Sequence, residues 1–381
     1  MFHPLRVAEI EQLTDDAVAV TFQVPPELRT TFRHVPGQHI ALRRTVDGRE
    51  IRRTYSICTP AADAPVLRVG IRLVEDGEFS TFALKELAVG DTVDVMAPAG
   101  RFVLEPRPGH FVGIVGGSGI TPVLSIVATL LTRQPDARFC LVRSDRTAAS
   151  TMFLEEVADL KDRFPERFQL VSVLSREDQQ SGLSSGRLDE ERLRALLPAL
   201  LPVASVDGWY LCGPYGLVQA AEHALRSLQV PRNRIHEEIF HISGPTPAEA
   251  ALADAASTNP TVTAPTFAGT TVAGDSTSLP GGPAPLRAPA HSTVTATLDG
   301  RAGSWPVLDG EPLLETVLRN RADAPYACKG GVCGTCRAFL VSGEVRMDRN
   351  YALEDEEVAS GYVLACQSHP VTEEVELDFD R

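Results

Sequence analysis

Near its C-terminus the chain contains the run Cys328-Lys329-Gly330-Gly331-Val332-Cys333-Gly334-Thr335-Cys336. A fourth cysteine, Cys366, follows after a gap of 29 residues. The three glycines of the run let the backbone curl tightly, so that its N–H groups can point at the cysteine sulfurs. In a reducing compartment, cysteines so spaced are expected to be metal ligands or free thiols rather than disulfides.

The spacing Cys-x4-Cys-x2-Cys with a distant fourth cysteine is the plant-type ferredoxin spacing, in which four thiolates hold two irons and two sulfides. Structural zinc is the main alternative, but zinc sites usually pair two short Cys-x2-4-Cys knuckles or include histidine. We therefore predict a 2Fe-2S cluster with these metal ligands: Cys328, Cys333, Cys336 and Cys366. We expect Cys58 and Cys140, which lie far away in sequence, to be inert buried thiols.

Composition limits the class of protein. The 381 residues suffice for two or three domains, and 43% hydrophobic with 23% charged residues is typical of a globular protein. The sequence contains no membrane-spanning apolar run and no secretory signal in residues 1–10, so we expect a cytoplasmic protein. The net charge of −14 argues against nucleic acid and membrane surfaces as partners.

The acidic charge is concentrated at the C-terminal end. Residues 292–381 contain sixteen Asp plus Glu against eight Lys plus Arg, a net charge of −8. Two interpretations stay open: solubility alone, or a docking face for a partner that carries basic residues.

Three patterns follow one another along the chain. Residues 1–106 contain short alternating or β-branched runs separated by turns such as Asp47-Gly48, which predicts a small antiparallel barrel or sandwich. The predicted strands are 17–24, 38–44, 54–58, 66–73 and 92–97. From Gly109 onward, strands alternate with helices, which favours a parallel sheet with helices on both faces. The predicted strands are 111–115, 139–143, 168–174 and 208–212, and the predicted helices are 122–131, 151–163, 188–197 and 217–228.

Residues 243–291 are rich in Pro, Ala, Thr, Ser and Gly, contain four charged residues, and predict a disordered linker. A flexible segment of this length spans about 40 Å and would tether two modules without fixing their orientation. After it, 292–298 alternates as a strand and 313–320 forms a short amphipathic helix before the cysteine-rich run.

Two segments of the N-terminal part carry groups suited to a flavin nucleotide. Arg53-Thr54-Tyr55-Ser56 places a guanidinium, an aromatic ring and a hydroxyl on a predicted strand, although ordinary exposed strand residues are an alternative. Gly77-Glu78-Phe79-Ser80-Thr81 combines a tight turn with hydroxyl and backbone N–H groups that can bind a pyrophosphate.

Two further segments end apolar strands just before helices. Gly116-Gly117-Ser118-Gly119-Ile120-Thr121-Pro122 lets a dinucleotide approach the backbone at a helix N-terminus. It is not the G-x-G-x-x-G fingerprint, so a plain strand-to-helix turn stays an alternative. Cys212-Gly213-Pro214 lies at the carboxyl edge of the predicted sheet, where ligands bind.

In this order the motifs resemble the ferredoxin-NADP reductase family over the first 242 residues, and the last 90 resemble plant-type ferredoxin. With Asn350-Tyr351 and the closing Asp378-Phe379-Asp380, the chain resembles the reductase subunits of multicomponent oxygenases, in particular of phenylacetyl-CoA epoxidases. The resemblance implies an FAD-binding β-barrel (1–106), an NAD(P)-binding α/β domain (107–242), the linker (243–291) and a β-grasp (α+β) 2Fe-2S ferredoxin domain (292–381).

The resemblance also implies roles for individual residues. It makes Ser56, Cys212 and Glu238 catalytic. The implied FAD contacts are Arg53, Thr54, Tyr55, Ser56, Gly77, Phe79 and Ser80, with Phe240 closing over the flavin beside Glu238. The implied nicotinamide contacts are Gly117, Ser118, Gly119, Thr121, Pro122, Cys212, Gly213 and Pro214.

The segment Arg143-Ser144-Asp145-Arg146 follows the second predicted strand of the nucleotide domain. Cations and hydroxyls there bind the 2′-phosphate of NADPH, whereas a carboxylate binds the ribose hydroxyl of NADH. Arg143, Ser144 and Arg146 favour NADPH, and Asp145 keeps NADH open. The resemblance implies that electrons pass from NADPH through FAD and the cluster to a separate di-iron oxygenase component. The alternatives are another oxygenase, such as a ring-hydroxylating dioxygenase or an alkene monooxygenase, and a non-catalytic zinc-binding adaptor.

Overall fold

The computed structural model describes residues 2–62, 64–177, 185–241, 261–264, 292–321, 323–326 and 328–381. The chain divides into two compact units, Met1–Pro245 and Thr246–Arg381. The first unit contains an antiparallel barrel followed by a parallel sheet, and the second contains the cysteine-rich loop. Among the residues the structure describes, no helix is long and apolar enough to cross a membrane.

Six antiparallel strands build the N-terminal sheet in the order β4-β3-β6-β1-β2-β5. Their bounds are β1 (Phe2–Thr14), β2 (Ala17–Gln23), β3 (His39–Val46), β4 (Arg49–Ser56), β5 (Leu67–Arg72) and β6 (Thr92–Met96), and helix α1 (Glu78–Lys85) follows β5. A bridge from Ile57, just after β4, to Val69 on β5 joins the two edges, so the sheet closes into a barrel. The β-barrel prediction is confirmed.

Five parallel strands in the order β11-β10-β7-β8-β9 form the second sheet. The strands are β7 (Gly109–Gly116), β8 (Ala137–Asp145), β9 (Phe168–Leu174), β10 (Gly208–Pro214) and β11 (Ile235–His241). The connecting helices are α2 (Ile120–Arg133), α3 (Leu154–Arg163), α4 (Glu190–Leu200) and α5 (Tyr215–Ser227). The predicted α/β architecture is confirmed, and β7 and β10 stand at its centre.

The second unit is an α+β domain with two sheets of orders β14-β13-β19-β15-β17 and β12-β16-β18. The strands are β12 (Thr261–Thr263), β13 (Thr293–Leu298), β14 (Arg301–Pro306), β15 (Arg337–Ser342), β16 (Glu344–Met347), β17 (Tyr362–Leu364), β18 (Ser368–Pro370) and β19 (Glu374–Asp378). The helices are α6 (Leu313–Asn320) and α7 (Asp355–Ala359). The parallel pair β13 and β19 lies inside an otherwise antiparallel sheet, as the β-grasp prediction requires.

Strand β12 corrects the prediction of a disordered linker over residues 243–291. Thr261–Thr263 pairs with β16, and the side chain of Val262 is 4% exposed within the core of the second unit. The Ala264 N–H extends the pairing by donating to the Gly343 carbonyl at 3.1 Å. An alternation of only three residues is too short to stand out against the surrounding composition. The rest of the predicted linker lies outside the described residues.

Candidate functional site

Two glycine-containing turns are packed together at the carboxyl edge of the parallel sheet. β7 leads through the 3₁₀ turn Gly117–Gly119 into α2, and β10 ends at Cys212-Gly213-Pro214 before α5. A Cβ on Gly119 would lie 2.2 Å from the Cys212 carbonyl oxygen, and one on Gly213 would lie 2.8 Å from the Gly116 carbonyl oxygen. Side chains are therefore excluded, and the two backbones fix each other's position.

The first turn divides its predicted nucleotide contacts into two groups. Gly117 and Ser118 are partly exposed, whereas Thr121 and Pro122 are buried at the start of α2. The Thr121 hydroxyl donates to the Ser118 carbonyl at 2.9 Å, so it holds the turn instead of facing outward. The exposed backbone of Gly117 and Ser118, next to the N-terminus of a 14-residue helix, suits the phosphates of a dinucleotide.

A thiol, a carboxylate and an imidazole converge beside these turns. Glu238 is the β11 partner of Cys212, and its Oε2 lies 4.0 Å from the Cys212 Sγ. The other oxygen, Oε1, lies 3.6 Å from Nδ1 of His39 on barrel strand β3. His39 in turn pairs with Ser56 on β4. The structure thus brings Cys212 and Glu238 together and places the third predicted catalytic residue, Ser56, on the strand beside His39.

Electrostatics keep the Cys212 thiol neutral. Its side chain is fully buried, and burial, reinforced by the Glu238 carboxylate, raises the pKa of Cys212 well above its usual range. Burial likewise raises the pKa of Cys58 and of Cys140 to about 12, as expected for inert thiols. Cys212 therefore adds a small neutral group, and no thiolate, to the site.

His39 is a candidate site residue that none of the sequence motifs contains. Its Nε2 is buried, and in the part of the chain that the structure describes it has no hydrogen-bond partner. An unsatisfied buried polar atom is costly, which marks this position as one that a bound group would satisfy. The sequence contains a signal for this position. His39 and Ser56 are equidistant from the Asp47-Gly48 turn, so the register of the hairpin pairs them.

The barrel supplies a surface suited to a flavin. Arg53 is exposed on β4, and its Nη1 donates to the Arg52 carbonyl at 2.7 Å. The Tyr55 ring lies 5.7 Å, centroid to centroid, from Phe79 on α1. These two positions fit the predicted phosphate and ring contacts, and the half-buried Thr54 lies between them.

The turn before α1 uses its predicted hydroxyl internally. The Ser80 Oγ donates to the Gly77 carbonyl at 3.0 Å and accepts from the Val74 N–H at 3.1 Å. Gly77 is the N-cap of α1, and no side chain caps the helix. The backbone N–H groups of the first helical turn are therefore the donors that could bind a phosphate here.

Arg72, at the end of β5, is a cation beneath the nucleotide turn that the sequence analysis did not name. A Cβ on Gly117 would lie 3.0 Å from Arg72 Nη1. Its Nε lies 3.2 Å from Asp16 Oδ1, and its Nη2 donates to the Ser150 carbonyl. The guanidinium is thus held beside a turn suited to phosphate.

The segment 143–146 separates into an inner and an outer pair. Arg143 Nε lies 2.8 Å from Asp145 Oδ2, with side chains 2% and 3% exposed, and Arg143 also donates to the Met152 carbonyl. Ser144 is partly exposed, and Arg146 is 50% exposed and lies 3.1 Å from Asp16. The expected phosphate contact of Arg143 therefore conflicts with its burial, since alternation along β8 turns it inward.

The cysteines of the second unit form two pairs of sulfurs. Cys328 is hydrogen-bonded to Cys333, and this bond lowers the pKa of Cys328. Cys336 is hydrogen-bonded to Cys366, and this bond lowers the pKa of Cys366 and raises that of Cys336. Across the described ranges, no three His, Cys, Asp or Glu side chains are arranged around a single metal ion. Two pairs of thiols suit a cluster of two irons.

The backbone of the loop supports these sulfurs. The Gly330 N–H donates to Cys328 Sγ at 3.3 Å. Gly331 and Gly334 have φ values of +77° and +66°, a conformation that glycine adopts at little cost. The predicted role of the glycines, to aim N–H groups at the sulfurs, thus has a direct counterpart at Cys328.

Three family models match the chain in the order of these sites. They are an oxidoreductase FAD-binding domain over residues 4–104, an oxidoreductase NAD-binding domain over 114–223 and a 2Fe-2S iron-sulfur cluster binding domain over 296–371. The phthalate dioxygenase reductase structure matches with a TM-score of 0.57 at 21% identity, over 99% of this chain and 98% of that one. This structural match shows a shared fold.

Curated relatives match over nearly the full length. A subunit of the 1,2-phenylacetyl-CoA epoxidase of Escherichia coli (strain K12) is 39% identical over 383 residues, covering 100% of this chain and 98% of that protein. The ferredoxin reductase component of the 3-ketosteroid-9-alpha-monooxygenase of Rhodococcus rhodochrous is 30% identical, covering 98% and 96%. Both relatives are components of oxygenase systems.

The fold and its sites define an NAD(P)H-dependent flavin and iron-sulfur oxidoreductase, which passes electrons from NAD(P)H through FAD and a 2Fe-2S cluster to an oxygenase. More closely, the chain belongs to the family that contains this 1,2-phenylacetyl-CoA epoxidase component and related oxygenase reductases. Membership in this family excludes the zinc-binding adaptor that the sequence analysis kept as an alternative.

The packed turns predict the effect of one methyl group. Gly119→Ala places a Cβ against the Cys212 carbonyl and must separate the turns, so reduction of the bound flavin by NADPH should slow at least about tenfold. Gly216→Ala is the matched control, because no atom other than those of its chain neighbours and its own helix backbone lies within 4 Å of its Cβ position. Stopped-flow bleaching of the flavin measures both rates. A wild-type rate in Gly119→Ala would contradict this account of the turns.

Proposed function

We propose that this chain is the reductase of a phenylacetyl-CoA epoxidase, which takes electrons from NADPH and delivers them to a di-iron oxygenase component. The observation that carries this acceptor is the 39% full-length identity to a component of such an epoxidase, against 30% to a steroid monooxygenase reductase. Because the cluster cysteines need a reducing compartment, we place the reaction in the cytoplasm.

The bound flavin supplies the conversion of a two-electron hydride transfer into single-electron steps that a 2Fe-2S cluster can carry. The chain's own residues bind and orient it. Arg53 would hold a phosphate, Tyr55 would face the ring system with Thr54 beside it, and the first turn of α1 after Gly77 would hold the pyrophosphate. The support is the exposure of Arg53, the Tyr55 and Phe79 ring contact and the uncapped helix.

The remaining polar groups would line the nicotinamide side of the site. Ser56 and the neutral Cys212 would border the reacting rings without introducing charge. Glu238 and His39, with Oε1 and Nδ1 3.6 Å apart, would place a carboxylate and an imidazole beside the nicotinamide. Phe240 lies two residues after Glu238 on β11, is partly buried against the core of this unit, and would exclude water there.

Electrons would leave through the cysteine loop of the second unit. The two thiol pairs, Cys328 with Cys333 and Cys336 with Cys366, would each hold one iron. The proposed domains are the FAD barrel over 1–106, the nucleotide domain over 107–242 and the ferredoxin domain over 292–381, with Thr261–Thr263 added to the last.

Reconstitution tests the acceptor. Purified chain, NADPH, phenylacetyl-CoA and the purified epoxidase oxygenase should give epoxide with matched NADPH consumption. A steroid monooxygenase oxygenase and a ring-hydroxylating dioxygenase, each with its own substrate, serve as matched acceptors. Turnover with one of these, and none with the epoxidase, would assign the chain to another oxygenase system.

We infer NADPH as the nucleotide from the outer pair of segment 143–146. Ser144 and Arg146 face outward. Two residues after the end of β9, the Arg176 N–H donates to the Arg146 carbonyl at 2.9 Å, so a second exposed arginine lies at this edge. The Asp145 carboxylate that would select NADH is paired with Arg143 and has both oxygens buried. A ribose hydroxyl would have to enter this buried position to bond to the free Oδ1, whereas a phosphate can meet Arg146 at the surface.

Arg146→Ala should lower kcat/KM for NADPH about tenfold while leaving kcat/KM for NADH nearly unchanged, because a charged hydrogen bond to the 2′-phosphate is lost. Arg226→Ala is the control, since it also removes an exposed, ion-paired arginine, from α5. Steady-state kinetics with both nucleotides measure the ratio. An unchanged preference would rule out this assignment of Arg146.

A further inference from the structure

We propose that Gln367 is a positioning residue of the iron-sulfur centre, whose side-chain amide ties the distant ligand Cys366 to the loop 328–336 and raises the cluster's reduction potential. The proposal rests on the ligand set given above. It concerns one N–H donor and the sulfur beside it, and it assigns Gln367 a role that the four cysteines alone do not explain.

Three acceptors surround the Gln367 amide nitrogen. Nε2 lies 2.8 Å from the Lys329 carbonyl oxygen, 3.0 Å from the Cys366 carbonyl oxygen and 3.6 Å from the Cys366 Sγ. Because all three are acceptors, the NH₂ end of the amide, and not its oxygen, must face them. One side chain thereby joins segments that are 38 residues apart in sequence.

The backbone on both sides fixes this amide. The Gln367 N–H donates to the Leu364 carbonyl at 2.9 Å, and its carbonyl accepts from the Asp348 N–H at 2.8 Å. Across the loop, Gly331 has a φ of +77°, and a Cβ there would lie 3.1 Å from the Gln367 Cγ. The glycine leaves the space that the glutamine side chain fills.

The carbonyl that Gln367 holds belongs to a strained residue. Lys329 has a φ of +53°, in the left-handed region that is unfavourable for a residue with a Cβ. The hydrogen bond from Gln367 stabilises this conformation, which sets the path of the chain directly after Cys328. Gln367 therefore acts on both ends of the ligand set, at Cys328 through the backbone and at Cys366 through the sulfur.

The effect on potential follows from charge. One-electron reduction adds negative charge to the cluster, and an N–H group that donates to a ligand sulfur stabilises the reduced form more than the oxidised form. The Gly330 N–H does this at Cys328 from the backbone. Gln367 does it at Cys366 from a side chain, where a substitution can remove it.

The test compares Gln367→Met, which keeps the length and removes the donor, with Gln367→Glu, which also adds a negative charge. In the full chain, the equilibrium with a one-electron mediator dye should shift about tenfold toward the oxidised cluster in Gln367→Met, which is 59 mV, and further in Gln367→Glu. The EPR spectrum of the reduced cluster should change in both variants.

Asn320→Asp is the matched control for charge. Asn320 is exposed on α6 and donates to the Thr316 carbonyl at 2.9 Å, so the change adds a carboxylate to the same unit without touching the loop. Its cluster should keep the wild-type potential. Flavin reduction by NADPH should also stay at the wild-type rate in both Gln367 variants, because the residue belongs to the other unit.

A wild-type potential in Gln367→Met would overturn the proposal while leaving the four ligands in place, whereas absence of cluster absorption from the wild-type chain would overturn the ligand set. If neither variant retains iron, Gln367→His decides the question, because its ring keeps an N–H donor. Recovery of the cluster in Gln367→His supports the role of the N–H donor. Failure to recover it overturns the proposal, because the position then requires the shape of glutamine and not its donor.

Discussion

The backbone contact between the two turns after β7 and β10 is the constraint on which the reductase unit depends. Because glycine occupies both approach points, Gly119 at Cys212 and Gly213 at Gly116, the turns meet without intervening side chains. At the same edge, the pairing of β10 with β11 places Cys212 beside Glu238, and Glu238 then reaches His39 on the barrel. The barrel and the parallel sheet thereby contribute side chains to one cluster, and hydride transfer depends on placement to within about 1 Å.

Glycine conformations also shape the functional loop of the second unit, where the loop holds cysteine sulfurs. Its loop must present four sulfurs as two pairs and stabilise one added electron, so it relies on glycine conformations, backbone N–H donors and the Gln367 amide. The division of labour follows from the chemistry, because a nicotinamide gives two electrons at once and the cluster accepts one. Residues 292–381, which include this loop, carry a net charge of −8. This charge suits the docking interpretation, in which the partner carries basic residues.

Sequence reasoning succeeded where the signal is local. Cysteine spacing predicted the 2Fe-2S domain, and clear periodicity predicted strand Phe168–Leu174 and helix Leu313–Asn320 with the bounds observed. It failed where tertiary context decides. The segment 143–146 predicts nucleotide contacts for Arg143 and Asp145 as well as for their neighbours, whereas the structure pairs these two side chains inside. His39 is visible only through hairpin register, and β12 is three residues long and pairs with a strand far away in sequence.

The most direct measurement is rapid mixing of Cys333→Ser with NADPH, following the flavin absorbance and the reduction of a purified oxygenase partner. If electrons enter at the flavin and leave through the cluster, flavin reduction should proceed at nearly the wild-type rate and oxygenase reduction should be abolished. Oxygenase reduction at the wild-type rate would contradict the electron path. Loss of flavin reduction as well would contradict the separation of the two units.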